Sequence, residues 1–207
     1  MDRMYALTRH VYDVTRRYYL LGRDRMLAQI DTSPRTATLE VGCGTARNLV
    51  KLCRRPGHGE LYGLDASQNM LDTAARSLGR SGCKGVQLRQ ALAEDLDAKV
   101  LFGRSDPFDT VFFSYCLSMI PTWRPAIDAA LANVRPGGTI LIVDFWDQAE
   151  LPSAFAAVLR RWLRLFHVEY RPALHEALTD LGRTGLAEVT FESVARRYAY
   201  IATLRRL

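Results

Sequence analysis

From Ala37 onward, short apolar runs and helical patterns take turns along the chain, and this alternation limits the fold more than any other feature. The runs over 37–41, 60–65, 86–90, 108–115 and 138–145 read as strands. Between them, 48–53, 67–77, 95–101 and 123–134 carry helical spacing or a helix-start signal such as Ser67. Strands that alternate with helices make a parallel sheet wound with helices on both faces. After the fifth strand the pattern changes. Helices are expected over 153–166 and 171–181, the second stopped by Gly182, followed by strands over 186–194 and 198–204 joined through Ala195-Arg196-Arg197. That ending is a hairpin. Ahead of the sheet, 5–29 reads as one or two helices.

The 207 residues fit one domain, and a hydrophobic share of 48% can build its core without disulfides or metal. We read a lid over 1–30, a core over 36–145 and a C-terminal part over 151–207. No apolar run is long enough to span a membrane and the start has no signal-peptide pattern, so a cytoplasmic protein is expected. Cys43, Cys53, Cys83 and Cys116 are scattered, without the pairs and nearby His of a zinc site, and read as reduced packing residues. Lys and Arg outnumber Asp and Glu by 6 to 3 over 1–30 and by 9 to 5 over 151–207, against 13 to 14 between. Basic ends around a neutral core suit an anionic surface, although from charge alone a solvated, Arg-rich basic face is the simpler reading.

The sharpest local signal is Thr38-Leu-Glu-Val-Gly-Cys-Gly-Thr-Ala-Arg47, a strand running into Gly-x-Gly and then a helix. Gly42 and Gly44 permit a tight turn and a close approach of ligand to backbone. Glu40 places a charge inside an apolar strand two residues before the first glycine. Asp65 ends the next strand, 21 residues after Gly44, where a carboxylate can accept from both hydroxyls of an adenosine ribose. Dinucleotide dehydrogenases share this spacing, but their third glycine, which makes room for a pyrophosphate, is Arg47 here.

With Asp65-Ala-Ser-Gln-Asn-Met-Leu71 and the terminal hairpin, the chain from about residue 36 resembles the class I S-adenosylmethionine-dependent methyltransferases. The resemblance implies an α/β, Rossmann-like, doubly wound sheet of seven strands with the last antiparallel, and S-adenosylmethionine as cofactor. It assigns Glu40, Gly42 and Gly44 to the methionine part, Asp65 to the ribose, and Ala66 and Met70 to the adenine wall. Ser114 is carried to the methionyl end and Tyr115 to the acceptor. Many members have an Asp after the third strand that binds adenine. Here the segment is Gln90-Ala-Leu-Ala-Glu94, which leaves backbone groups near Ala91 and Leu92 for that task.

The acceptor must be read from the less common parts. The fourth strand ends Phe113-Ser-Tyr-Cys-Leu117 without an Asn-Pro-Pro-Tyr motif, so no nucleic acid partner is expected, and no carboxylate cluster suggests a metal. The stretch Val11-Tyr-Asp-Val-Thr-Arg-Arg-Tyr-Tyr-Leu-Leu-Gly-Arg-Asp-Arg25 resembles the N-terminal segment of bacterial diacylglycerylhomoserine N-methyltransferases. That likeness implies three successive methyl transfers to a head-group amine, a lipid substrate at the inner face of the membrane, and an upstream head-group transferase as partner. A helix over the cofactor mouth would carry Tyr12 toward the acceptor, Tyr18 and Arg23 to the cofactor, and Tyr19 to the reacting amine. An alternative for Arg23 is the acceptor's carboxylate. Phe145 and Trp146 would complete an aromatic cage for a cationic product, and Tyr19 or His167 would take the proton. Phe155, Val158, Leu159, Trp162 and Phe166 form one helix face with Arg160, Arg161 and Arg164 off it, a pattern that suits a lipid interface or an ordinary core. Phosphatidylethanolamine, another small acceptor, or a catalytically silent binding module remain open as alternatives, with a dehydrogenase further behind.

Overall fold

The computed structural model describes residues 20–152, 159, 161 and 170–207. Its elements are α1 (Arg23–Ala28), β1 (Ala37–Val41), α2 (Arg47–Cys53), β2 (Glu60–Asp65), α3 (Gln68–Arg80), β3 (Gln87–Gln90), a 3-10 turn (Ala93–Asp95), α4 (Ala98–Phe102), β4 (Phe108–Ser114), α5 (Trp123–Asn133), β5 (Val134–Phe145), α6 (Pro172–Arg183), β6 (Ala187–Val194) and β7 (Ala199–Arg206). The strands form one seven-stranded sheet in the order β3-β2-β1-β4-β5-β7-β6. The first five run parallel, and β7 lies antiparallel between β5 and β6. The chain leaves β1 toward β2 on one side and returns to β4 on the other. A crevice therefore opens beyond the carboxyl ends of β1 and β4, where ligands bind in such sheets.

Two apolar layers hold the sheet. Trp123, Ala126, Ile127 and Ala130 of α5 and Leu174 and Leu178 of α6 pack with Ile140, Ile142 and Tyr200 on one face. Met26 and Leu27 of α1, Leu49 and Leu52 of α2, and Leu71, Ala74 and Leu78 of α3 pack with Phe112, Leu141 and Val143 on the other. Helix α3 starts where Ser67 accepts a hydrogen bond from the Met70 N–H at 3.4 Å, and it buries Leu71, Ala74 and Leu78 at the 3–4 residue spacing of one helix face.

Several expected boundaries move, each for a local reason. The helix expected over 95–101 is a 3-10 turn followed by α4, because Leu96 is extended and Asp97 caps a new start by accepting from the Val100 N–H at 2.8 Å. Asn133 bridges that break, accepting from the Ala98 N–H and donating to the Leu96 carbonyl, both at 2.8 Å. Helix α6 does not stop at Gly182. It runs to Arg183, and the left-handed residue that follows is Gly185, at φ +73°. A Cβ at Gly182 would meet Val189 at 3.5 Å, an ordinary van der Waals contact, so this glycine neither ends the helix nor is required by the packing. Of the helical reading of 5–29, the described residues contain α1, entered through Gly22 at φ +80°. The remainder of that reading, most of the 153–166 helix, and Tyr12, Tyr18, Tyr19 and His167 lie outside the described residues. Leu159 is half-buried against the second layer and Arg161 is exposed, as the expected stripe requires of those two positions.

Among the described residues, six that are not glycine adopt left-handed backbone: Ala46, Tyr115, Gln148, Ala195, Arg196 and Arg197. All six lie at the edge where β1, β4 and β5 end, since the β6–β7 hairpin turns beside Phe145. Among the described residues, the loops at the opposite edge place glycine at their left-handed positions, as at Gly103 and Gly185. The carboxyl edge alone carries the costlier conformations, the pattern seen at functional sites.

Candidate active site

The turn after β1 is built by the Gly-x-Gly signal. Gly42 and Cys43 both donate to the Leu64 carbonyl, at 2.8 and 2.9 Å, which ties the turn to the end of β2. A Cβ at Gly42 would stand 2.8 Å from the Cys116 Cβ, so glycine is needed for protein packing. Gly44 differs. Among the described residues nothing lies within 4 Å of a Cβ placed there, so its backbone faces open space. Asp65 holds the turn from β2, its carboxylate accepting from the Gly44 N–H at 2.7 Å and the Ser67 N–H at 2.9 Å. A carboxylate has about four acceptor positions, so bonds to backbone N–H groups do not by themselves bar it from accepting from ribose hydroxyls.

Glu40 is buried and accepts from the Asn48 amide at 2.7 Å through Oε1. Among the described residues, its Oε2 and the Oδ1 of Asn48 have no hydrogen-bond partner. Burial pushes the Glu40 carboxyl up to about 8, aided by the nearby charge of Asp65 and opposed by Asn48 and Arg23. Arg23, in α1, is buried and donates to the Leu20 carbonyl at 3.3 Å. The Ser114 Oγ, at the end of β4, is buried without a partner among the described residues. Farther along the crevice, Ala66 and Leu92 are exposed while Met70 and Ala91 are half-buried. The Gln90 side chain donates to the Ala66 carbonyl at 3.1 Å, and the Ala91 N–H donates to the Asp65 carbonyl at 3.2 Å.

The acceptor end departs from expectation. Tyr115 is buried, and its hydroxyl donates to the Leu21 carbonyl at 2.5 Å, so it tethers the segment entering α1. Phe145 is wedged between Tyr115 and Tyr198, with ring centroids 4.7 and 5.8 Å away. Trp146 packs on the opposite face of the sheet, stacked on His175 at 5.5 Å and covered by the Arg197 guanidinium at 4.6 Å. Consecutive strand residues point to opposite faces. Phe145 and Trp146 therefore do not form one cage.

Other residues at this edge came only with the structure. Asp144 is buried between β4 and β7 and accepts from the Ser118 N–H at 2.9 Å, and Arg171 donates to the Ser118 carbonyl at 2.9 Å, so the loop after β4 is held from two sides. Burial raises the Asp144 carboxyl to about 6, against the pull of those N–H groups. Gln148 is buried with a partnerless Oε1, and its N–H donates to the Arg197 carbonyl at 2.9 Å. Cys43, Cys83 and Cys116 are buried free thiols, and burial raises Cys43 and Cys116 well above the usual thiol range. No group of metal-binding side chains occurs among the described residues.

Residues 38–138 match the family described as a methyltransferase domain. The sheet order and the helices around it superimpose on a methyltransferase of Aquifex aeolicus with a TM-score of 0.65 and 17% identity over 93% of each chain. An O-methyltransferase family protein of Burkholderia thailandensis gives 0.71 and 18% over 99% of this chain and 62% of its own. The fold is that of the class I S-adenosylmethionine-dependent methyltransferases. A demethylmenaquinone methyltransferase of Bacillus mycoides is 28% identical over 123 residues, 59% of this chain. The chain spans about half the length of the curated relatives it matches. The family match and the fold together imply S-adenosylmethionine as the cofactor, and the residues fit it. Gly44 faces an open cradle, and partnerless buried oxygens at Glu40, Asn48 and Ser114 offer acceptors for an ammonium group.

Proposed function

We propose that this protein is an S-adenosylmethionine-dependent methyltransferase whose acceptor is the amine of a lipid head group, diacylglycerylhomoserine in particular, at the cytoplasmic face of a membrane. The observation that carries the methyltransferase reading is the union of the open Gly44 cradle, the Asp65 carboxylate and the partnerless Glu40 oxygen at one edge of the sheet. The head-group reading rests on residues 11–25, which resemble the diacylglycerylhomoserine N-methyltransferases. No helix among the described residues is long and apolar enough to cross a membrane. Access to a lipid would be peripheral, and the basic ends suit an anionic surface.

When bound, S-adenosylmethionine supplies an electrophilic methyl group on a sulfonium. The chain's task is alignment, because in-line transfer needs the neutral amine close to the methyl group and on its axis. Asp65, Glu40 and Asn48 would fix the two ends of the cofactor. Asp144 and Arg171 would fix the β4 loop, and with it Ser114, on the acceptor side. The amine must lose a proton before each transfer, and Tyr19 or His167 is proposed as its first acceptor.

A second reading has its own observation. The relatives named demethylmenaquinone methyltransferase point to a lipid-soluble ring acceptor, but the similarity spans about half of their length. Mass spectrometry after incubation with S-adenosylmethionine and mixed micelles of diacylglycerylhomoserine, phosphatidylethanolamine or demethylmenaquinone decides among them. Mono-, di- and trimethylated diacylglycerylhomoserine is expected. Methylation of another of these acceptors alone would replace the acceptor reading. Cofactor binding without methylation of any would leave a silent binding module.

A further inference from the structure

Glu40 and Asn48 share one hydrogen bond and, among the described residues, leave one oxygen each without a partner. Both side chains are buried, at 2% and 5% exposure, so neither orphan oxygen has water to turn to. Two acceptors cannot satisfy each other, but one proton changes that. A carboxylic acid protonated at Oε2 can donate to the amide Oδ1 while Nδ2 continues to donate to Oε1, closing a two-bond ring.

We propose that Glu40 and Asn48 form a neutral acid–amide pair in the ligand-free protein, and that a ligand bearing an α-ammonium group expels the proton on binding. The proposal deepens the methyltransferase reading and rests on it. An ammonium placed at these oxygens brings a positive charge and N–H donors, which favour the ionised carboxylate. The Glu40 proton leaves to solvent, and the ligand's charge replaces it.

The groups facing Glu40 are consistent with a neutral resting state. Arg23 of α1 favours ionisation, as does the hydrogen bond from Asn48 and the backbone of Leu49 in α2. Asp65 of β2 opposes it, and desolvation outweighs all of these. The thiols of Cys43 and Cys116, from the turns after β1 and β4, stay protonated and add no charge. With the carboxyl near 8, about nine-tenths of the protein would carry this proton at pH 7.

The test is calorimetric titration of S-adenosylhomocysteine at pH 7 into the wild-type protein and Glu40→Gln, in buffers of different ionisation enthalpy. Wild type should release close to one proton per ligand, its Kd should fall nearly tenfold from pH 6 to 7, and the dependence should level off above pH 8. Glu40→Gln should bind more weakly, with no buffer dependence and a flat profile over that range. An infrared difference spectrum of the wild type should show a protonated carboxyl band lost on ligand addition, which keeps the test valid if the variant does not fold. Binding by wild type without proton release, or equal release by Glu40→Gln, overturns this proposal alone. Absence of binding by wild type overturns the methyltransferase reading and this proposal with it.

Discussion

Gly42 and Gly44 have similar left-handed backbones, at φ +70° and +52°, yet the structure gives them different tasks, and alanine at each separates the two. Left-handed alanine costs about 1–2 kcal/mol at either position. At Gly44 nothing more is added, because no atom of the described residues lies within 4 Å of the new Cβ. At Gly42 the Cβ would approach the Cys116 Cβ to 2.8 Å, and overpacking of this kind adds about 1–3 kcal/mol. For a chain of this length that difference lowers Tm by about 2–12 °C more in Gly42→Ala than in Gly44→Ala. Binding should rank the other way. The methyl group of Gly44→Ala enters the cradle, so Kd for S-adenosylhomocysteine should rise at least about tenfold, or 1.4 kcal/mol, with a small loss of stability. Thermal unfolding and calorimetry on both proteins provide the two axes. Unchanged affinity in Gly44→Ala would refute the cradle, and equal Tm values would refute the packing role of Gly42.

Asp65→Ala should weaken S-adenosylhomocysteine binding by about 1.5–3 kcal/mol through loss of a charge-assisted acceptor. It should also lower Tm, since Gly44 and Ser67 lose their partner; calorimetry and thermal unfolding measure the two effects. Asp144 has its carboxyl raised from 3.8 to about 6, so its protonated form is favoured by folding, and its contribution to stability is present below pH 4 and lost as pH rises through 6. Urea denaturation of Asp144→Asn should therefore lack a decline of about 2 kcal/mol that wild type shows between pH 4 and 7. Ala195→Gly, in the left-handed hairpin turn and exposed, should gain about 0.5–1 kcal/mol in the same assay, because glycine relieves the backbone and the methyl group makes no buried contact. Calorimetry with NAD should show no binding, because Arg47 occupies the position of the third glycine in a dinucleotide site.

Periodicity located all seven strands because most of them are buried on both faces or alternate cleanly, and β1 and β2 have the expected bounds. Boundaries failed where a distant partner decides them. β5 begins at Val134 rather than 138 because Val134 pairs with Phe108 ahead of a register shift. Glu40, Gly42, Gly44 and Asp65 were legible because one turn brings them together and spacing alone specifies that turn. Asn48 was missed although it sits eight residues after Glu40, since nothing local marks an amide as a carboxylate's partner. Asp144 and Arg171 meet at Ser118 from separate segments, as Gln148 meets Arg197, and pattern reading has no access to such meetings. The Phe145 and Trp146 cage was a misreading that strand alternation already excluded.

The six left-handed residues that are not glycine are confined to one edge of the sheet among the described residues, and this divides the molecule for anyone substituting it at random. At the opposite edge, an amino acid change should register in cellular abundance alone. At the carboxyl edge a change can make the backbone easier to fold while spoiling the surface it presents, so abundance and ligand occupancy should move in opposite directions. A saturation scan scored for both quantities would draw the outline of the site from that disagreement, with no acceptor in hand.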